Sequence, residues 1–208
     1  LITRAVSLLT RTIPSGILAF MNNRETILET ALTFFAAFGY EATGTLEICD
    51  AAGVSKPTMY HYFKSKRGLM ETILSGNFEP FLEHLRDASR YQHDLTLNLE
   101  SILRVYFAFA QENPVFYRLQ FSMQYAPLKS ESYELVSPWV RRQRELLQAM
   151  FLLAEADHGN MRGRSVGYTT TLLGMINAYA SDALARGREL DDELIYQARH
   201  QYMHGIFS

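Results

Sequence analysis

From Asn22 onward, apolar residues recur at helical spacing between short breaks, and no alternating stretch reaches the length of a strand. The pattern predicts an all-α chain. Its first helix is expected to begin at an Asn22 or Asn23 cap and to carry Glu25 and Glu29 near the positive end of its dipole. It buries Ile27, Leu28, Ala31, Leu32, Phe35 and Phe38 and stops at Gly39. A second, short helix is read from Thr45 to Ala52. Val54-Ser55 then leads into a third, with Pro57 just inside its start, where a missing N–H costs nothing. A long fourth helix is expected from Arg67 toward Arg90 and forms the physical bridge to the rest.

Beyond it the periodic pattern breaks at Tyr91 to Asp94, Asn113-Pro114, Ala126-Pro127, Ser137-Pro138, His158 to Asn160 and Gly187 to Asp191. Asn113 and Ser137 read as caps before a proline. Two final helices are read over about Arg162 to Arg186 and Asp191 to Phe207. There is no fixed-period repeat and no low-complexity linker. Residues 1–20, which start at Leu1 and lack this continuity, are read as a disordered or non-native extension, with Met21 as the initiator. That leaves a three-helix unit over 21–68 and a larger helical unit over 69–208.

Composition narrows the classes. With 48% hydrophobic residues the chain can bury a substantial core. Its 20 Lys+Arg nearly balance 22 Asp+Glu, so any attraction for nucleic acid must be local. The single cysteine, Cys49, excludes an intramolecular disulfide and a cysteine-based zinc site, which suits a reducing cytoplasm. Cys49 itself reads as a small buried filler. No run of about 18 apolar residues marks a membrane span.

Enzyme signatures are missing: the sequence has no G-x-S-x-G, H-E-x-x-H, P-loop or G-x-G-x-x-G. A di-iron carboxylate bundle needs two Glu-x-x-His motifs, and only Glu155-x-x-His158 is present. His200 and His204, one turn apart, lack a third ligand. No catalytic residue, metal ligand or cofactor is therefore nominated.

Charge is distributed unevenly. From Ala51 to Met70 there are four basic residues, Lys56, Lys64, Lys66 and Arg67, and no carboxylate. A phosphate backbone favours this arrangement, because each neutralised phosphate releases counterion. Gly53 can supply a turn free of Cβ crowding between the second and third helices, with Val54 plugging the space between them. The third helix is then free to enter a groove. Thr58, Tyr60 and His61 are placed to present to base edges or nearby phosphates, with Met59 a further candidate, while Thr43, Lys56, Tyr62 and Lys66 suit backbone contacts. Ile48, Val54 and Phe63 pack the three-helix core, joined by one of Met59 or Tyr62.

The run Gly39-Tyr40-Glu41-Ala42-Thr43, then Ile48, then Ala52-Gly53-Val54-Ser55-Lys56-Pro57-Thr58-Met59-Tyr60-His61-Tyr62-Phe63-Lys64-Ser65-Lys66, then Leu69, resembles the DNA-binding half of TetR/AcrR-family transcriptional regulators. The likeness covers about Arg24 to Leu74, and the remainder agrees in helix order. Pro57 and Thr45 join the DNA-contacting set by this resemblance. It departs at Gly44, where a Ser or Thr commonly caps the second helix, so Thr43 or Thr45 is expected to take that duty, and at Cys49, where alanine is usual.

The resemblance implies a larger domain that binds a small molecule and a homodimer that reads a palindromic double-stranded operator. It also implies repression by occlusion; activation by the same fold, or a helical interaction module without DNA binding, are the alternatives. Between Phe78 and Trp139 lie 12 aromatic residues in 62, against 14 in the other 146. By resemblance this is the ligand chamber. Phe81, Tyr106, Phe109, Phe116, Tyr117, Phe121, Met123, Tyr125 and Trp139 are candidate walls for a hydrophobic or aromatic effector, with ordinary core packing the competing role for each. Asn177, Arg104 or Arg118 are candidates to orient a polar group. The faces Leu172, Leu173, Ile176, Tyr179, Leu184 and Leu194, Ile195, Ala198, Tyr202, Ile206 pair with their copies by the same resemblance, unless they are buried within one chain. Gly167, Gly174, Ala178 and Ala180 permit close approach.

Overall fold

The computed structural model describes the backbone of residues 15–205 and the side chains of residues 23–205. The all-α expectation is met: among the described residues there are nine α-helices and no strand. The chain separates into two compact units, residues 1–70 and 71–208.

In the first unit, α1 (Ser15–Phe38) packs on α2 (Thr45–Ala52) and α3 (Lys56–Phe63). α1 starts upstream of the expected Asn22 or Asn23 cap, so residues 15–20 are helical. The rest of the proposed extension lies outside the described residues. Its buried stripe is Ile27, Ala31 and Phe35, three successive turns of one face. Phe38, expected inside, is 65% exposed. Gly39 (φ +84°) turns the chain there and returns Tyr40 onto Phe35, with ring centroids 5.3 Å apart, filling the place Phe38 would have taken.

Helix α2 ends at Gly53, whose left-handed φ of 66° only glycine adopts without a Cβ penalty. The next amide, Val54 N–H, donates back to the Cys49 carbonyl at 3.0 Å, closing the turn. Neither Thr43 nor Thr45 caps α2. Glu47 instead reaches back to accept the Gly44 N–H at 2.9 Å, while the buried Thr43 hydroxyl donates to the Gly39 carbonyl at 2.8 Å. Helix α3 begins at Ser55, whose hydroxyl accepts the Thr58 N–H at 3.3 Å, with Pro57 in the first turn as expected.

Helix α4 (Lys66–Ala88) carries Pro80 in its interior. The second unit continues with α5 (Leu95–Glu112), α6 (Pro114–Gln124), α7 (Glu131–Ala154), a 3-10 turn (Gly159–Met161), α8 (Ser165–Arg186) and α9 (Asp192–His204). α7 packs on α6 and α8, while α5 packs on α6, α8 and α9. The break expected at Ser137-Pro138 does not occur. Pro138 removes the N–H that would bond the Glu134 carbonyl, but the Ser137 hydroxyl donates to that same carbonyl at 3.4 Å and the helix continues. Its cap is Ser130, which accepts the Tyr133 N–H. Asn113 stands at the start of α6, yet its amide donates back to the Phe109 carbonyl at 3.2 Å instead of capping.

The apolar faces assigned to a dimer are mostly buried within the chain. Leu172, Leu173 and Ile176 of α8 and Leu194, Ile195 and Ala198 of α9 are all inside, because α5 and α7 cover them. Ala180 is buried as well, and Ile206 and Phe207 lie outside the described residues. What α8 leaves in solvent is another stripe: Val166, Gly167, Thr170, Gly174, Ala178 and Ser181, with Tyr196 and Met203 of α9 also exposed.

Candidate nucleic-acid interface and internal cavity

Helix α3 has two faces of opposite character. Met59 and Phe63, four residues apart, are buried, and Met59 is completely so. This settles the open assignment of Met59: it is core, and it cannot reach a base. The outward face presents Lys56, Pro57, Tyr60 and His61, all exposed, with Thr58 and Tyr62 half-buried beside them. The Thr58 hydroxyl is 2.8 Å from that of Ser55, which fixes its rotamer. Lys56 Nζ stands 5.7 Å from the centre of the Tyr60 ring, and the His61 and Tyr62 rings meet edge to face at 5.6 Å.

The structure thus brings Lys56, Pro57, Thr58, Tyr60, His61 and Tyr62 together on one short helix. Thr45, at the first turn of α2, is half-exposed. Thr43 does not join them: its side chain is buried and its hydroxyl is engaged by Gly39, so it shapes the α1–α2 turn and is closed to a phosphate. Lys66 is partly committed too, since its ammonium lies 4.4 Å from the centre of the Tyr40 ring and donates to the Glu41 carbonyl at 3.3 Å. Cys49 is buried, and burial pushes its thiol pKa up, away from the thiolate.

Within the second unit a cavity of about 190 Å³ opens among α4, α5, α6, α7 and α8. Six of the ten residues nominated as ligand contacts line it: Phe81, Tyr106, Phe109, Tyr117, Tyr125 and Asn177. The other four do not. Phe116 and Trp139 pack against Phe78, at 5.1 and 5.4 Å between centroids, and so hold the wall from behind. Phe121 packs on Tyr125 at 5.0 Å, and Met123 is buried. Helical periodicity marks such residues as apolar but does not say which side of a wall they occupy.

The polar lining is what the sequence concealed. Gln120, Gln124, Gln143, Arg144 and Thr170 border the cavity, whereas Arg104 and Arg118 do not. Two of the tyrosines are already engaged: Tyr106 donates to Gln143 Oε1 at 3.1 Å and Tyr117 to Asn177 Oδ1 at 2.7 Å. Burial holds both phenols well above their usual pKa, so they remain neutral donors. Arg144 donates to the Thr170 hydroxyl at 3.0 Å. Phe81 and Phe109, 4.4 Å apart, also border a wider depression of about 390 Å³ lined by Asn77, Pro80, His84 and Arg104.

Residues 27–73 match the family model of the bacterial regulatory proteins, tetR family. A curated relative, the HTH-type transcriptional activator FasR of Mycolicibacterium smegmatis, is 34% identical over 49% of this chain and 47% of its own length. The HTH-type transcriptional repressor KstR2 of the same organism is 36% identical over 42% of this chain and 41% of its own. The chain thus spans about half the length of the curated relatives it matches. Two solved structures extend the likeness of fold to 88% or more of the chain. The Bacillus subtilis transcriptional regulator FadR in complex with stearoyl-CoA has a TM-score of 0.71 at 16% identity, covering 88% of this chain and 98% of that one. The TetR-family regulator PfmR of Thermus thermophilus has a TM-score of 0.69 at 22% identity, covering 89% and 97%. With the helix-turn-helix of α2 and α3 inside the matched residues 27–73, the first unit is similar to the bacterial regulatory proteins of the tetR family.

Proposed function

We propose that the chain is a ligand-responsive transcriptional regulator that binds a palindromic operator as a homodimer and represses by occupying it until a small hydrophobic or aromatic effector releases it. The observation that carries this reading is the division of α3, with Met59 and Phe63 buried and Lys56, Tyr60 and His61 outward. A helix held this way offers side chains to a major groove at no cost to its own core. Relatives whose names give both an activator and a repressor leave the sign of regulation to experiment. Gel-shift titration against the DNA upstream of the protein's own coding region tests the proposal. Tight, salt-sensitive binding that random duplex of equal length does not compete supports it. Equal affinity for random DNA contradicts it.

Lys56 is assigned to phosphate. We predict that Lys56→Ala weakens specific and random binding alike and reduces the slope of log affinity against log salt by about one. Loss confined to the specific duplex would reassign Lys56 to base reading.

The dimer reading rests on the stripe that α8 leaves in solvent, whose small side chains let a second helix come close. Ala178→Arg places a long cation in its middle. We predict that it shifts the chain to monomer in light-scattering chromatography while far-UV circular dichroism is unchanged. A variant that elutes as the native chain does would remove this face from the interface.

The cavity is read as the effector site. A ligand there acts on DNA binding only through different affinities for two states of the protein, and α4, which starts in the first unit and continues into the second, is the segment proposed to carry the difference.

A further inference from the structure

We infer that the cavity takes a small organic acid, an apolar body of one or two rings or a short chain ending in a carboxylate, with Arg144 and Gln120 as the residues that read the acid group. This deepens the effector-site reading above and rests on it.

Three observations converge. Among the described residues that line the cavity, Arg144 is the one charged group and there is no carboxylate. Its hydrogen-bond partner is a neutral hydroxyl, that of Thr170, which in turn donates to the Val166 carbonyl at 2.8 Å. Among the described residues the cation has no counter-ion; its contact with Thr170 lies at the exposed edge of the cavity, and its charge partly offsets the effect of burial on the Tyr106 phenol. Arginine's fork matches a carboxylate bidentately, which makes an anion the partner that gains most at this point.

The second observation is Gln120. Its side chain is 94% buried and borders the cavity, yet its amide makes no hydrogen bond among the described residues. Facing the cavity, the amide offers a donor and an acceptor that a ligand can pair. The neighbouring tyrosines do not compete for the ligand as free donors, because Tyr106 and Tyr117 already donate to Gln143 and Asn177. Gln124 and Tyr125 also offer polar groups to the cavity, but of the residues without such an internal bond Gln120 is the most deeply buried, and it faces the same space as Arg144 and the rings of Phe78, Phe81 and Phe109.

Volume sets the size. At about 190 Å³ the cavity is smaller than the roughly 300–1,000 Å³ of pockets for drug-sized molecules. In this shape it admits a one- or two-ring acid and excludes a complete nucleotide thioester. A longer molecule would have to part Phe81 from Phe109 and enter the adjoining depression.

Calorimetric titration of the full chain with benzoate, 2-naphthoate and octanoate, each beside its primary amide and alcohol, tests this. At least one acid is expected to bind about 10-fold or more tightly than its own amide and alcohol. In Arg144→Met that preference disappears, and in Arg144→Lys, which keeps the charge, part of it remains. Gln120→Met weakens the acid about 10- to 100-fold, in line with losing one hydrogen bond to a charged group. Acids and neutral counterparts binding equally well, or an Arg144→Met variant that keeps the preference, would overturn the acid assignment and leave the effector cavity standing. Binding by no member of the panel, acid or neutral, would overturn both.

Discussion

Replacing Tyr60 or His61 by alanine is expected to weaken operator binding about 10- to 100-fold, the loss of a base contact worth roughly 1–3 kcal/mol, while binding to random duplex falls far less. Both residues project from α3 into solvent, and neither contributes to the buried face formed by Met59 and Phe63, so their removal should leave the fold intact. The His61 variant also removes the edge-to-face partner of Tyr62, and the Tyr60 variant removes the ring beneath Lys56. Tyr60→Phe separates the two contributions of that residue. Retained affinity would assign the ring to apolar contact with a base, and lost affinity would assign the hydroxyl to a hydrogen bond. Equal losses on operator and random DNA would place Tyr60 and His61 on the phosphate backbone.

The second large effect lies on the other face of the same helix. Met59 is fully buried, so Met59→Ala creates a cavity and should destabilise the first unit by about 2–5 kcal/mol. Operator binding is lost with it, through unfolding of the reading helix. Met59→Leu conserves volume and should cost below about 1.5 kcal/mol, with operator preference unchanged. Thermal unfolding followed alongside gel shifts distinguishes packing from reading. If Met59 contacted a base, the leucine variant would alter sequence preference at native stability.

Much of the first unit could be read directly from the residues, because its signals are local. Gly53 marks a position that needs a left-handed turn, Pro57 a first helical turn, and the four cations without a carboxylate a face for phosphate. The errors came where one of several nearby residues with similar capacity supplied what another seemed to offer. Glu47 bonds the Gly44 amide in place of a threonine, Tyr40 fills the space expected of Phe38, and Thr43 is claimed by the Gly39 carbonyl. Pro138 looked like a break because its missing donor is visible in the sequence, whereas its remedy, the Ser137 hydroxyl on the Glu134 carbonyl, is a matter of rotamer.

The second unit was harder for a physical reason. An aromatic stripe identifies a region rich in ring surface, but a ring facing a void and a ring facing its neighbour obey the same periodicity. Phe109 lines the cavity while Phe116 and Trp139 support it, and only packing separates them. Gln120 and Arg144 read as ordinary polar positions on amphipathic helices; their approach to one cavity depends on how α6 and α7 pair. The same ambiguity reversed the face of α8. Its leucines mark the most apolar side, which this chain buries itself, and the stripe left for a partner consists of glycine, alanine and hydroxyl residues that carry little hydrophobic signal.

The central proposition is that α3 enters a major groove twice, once from each chain of a pair. Hydroxyl-radical and methylation footprinting on the upstream duplex tests it most directly. Two protected major-groove patches of inverted sequence, separated by one helical turn or a whole multiple of it, are the expected result, and His61→Ala should weaken protection in both. A single patch, or protection with no inverted relation between its halves, would contradict it.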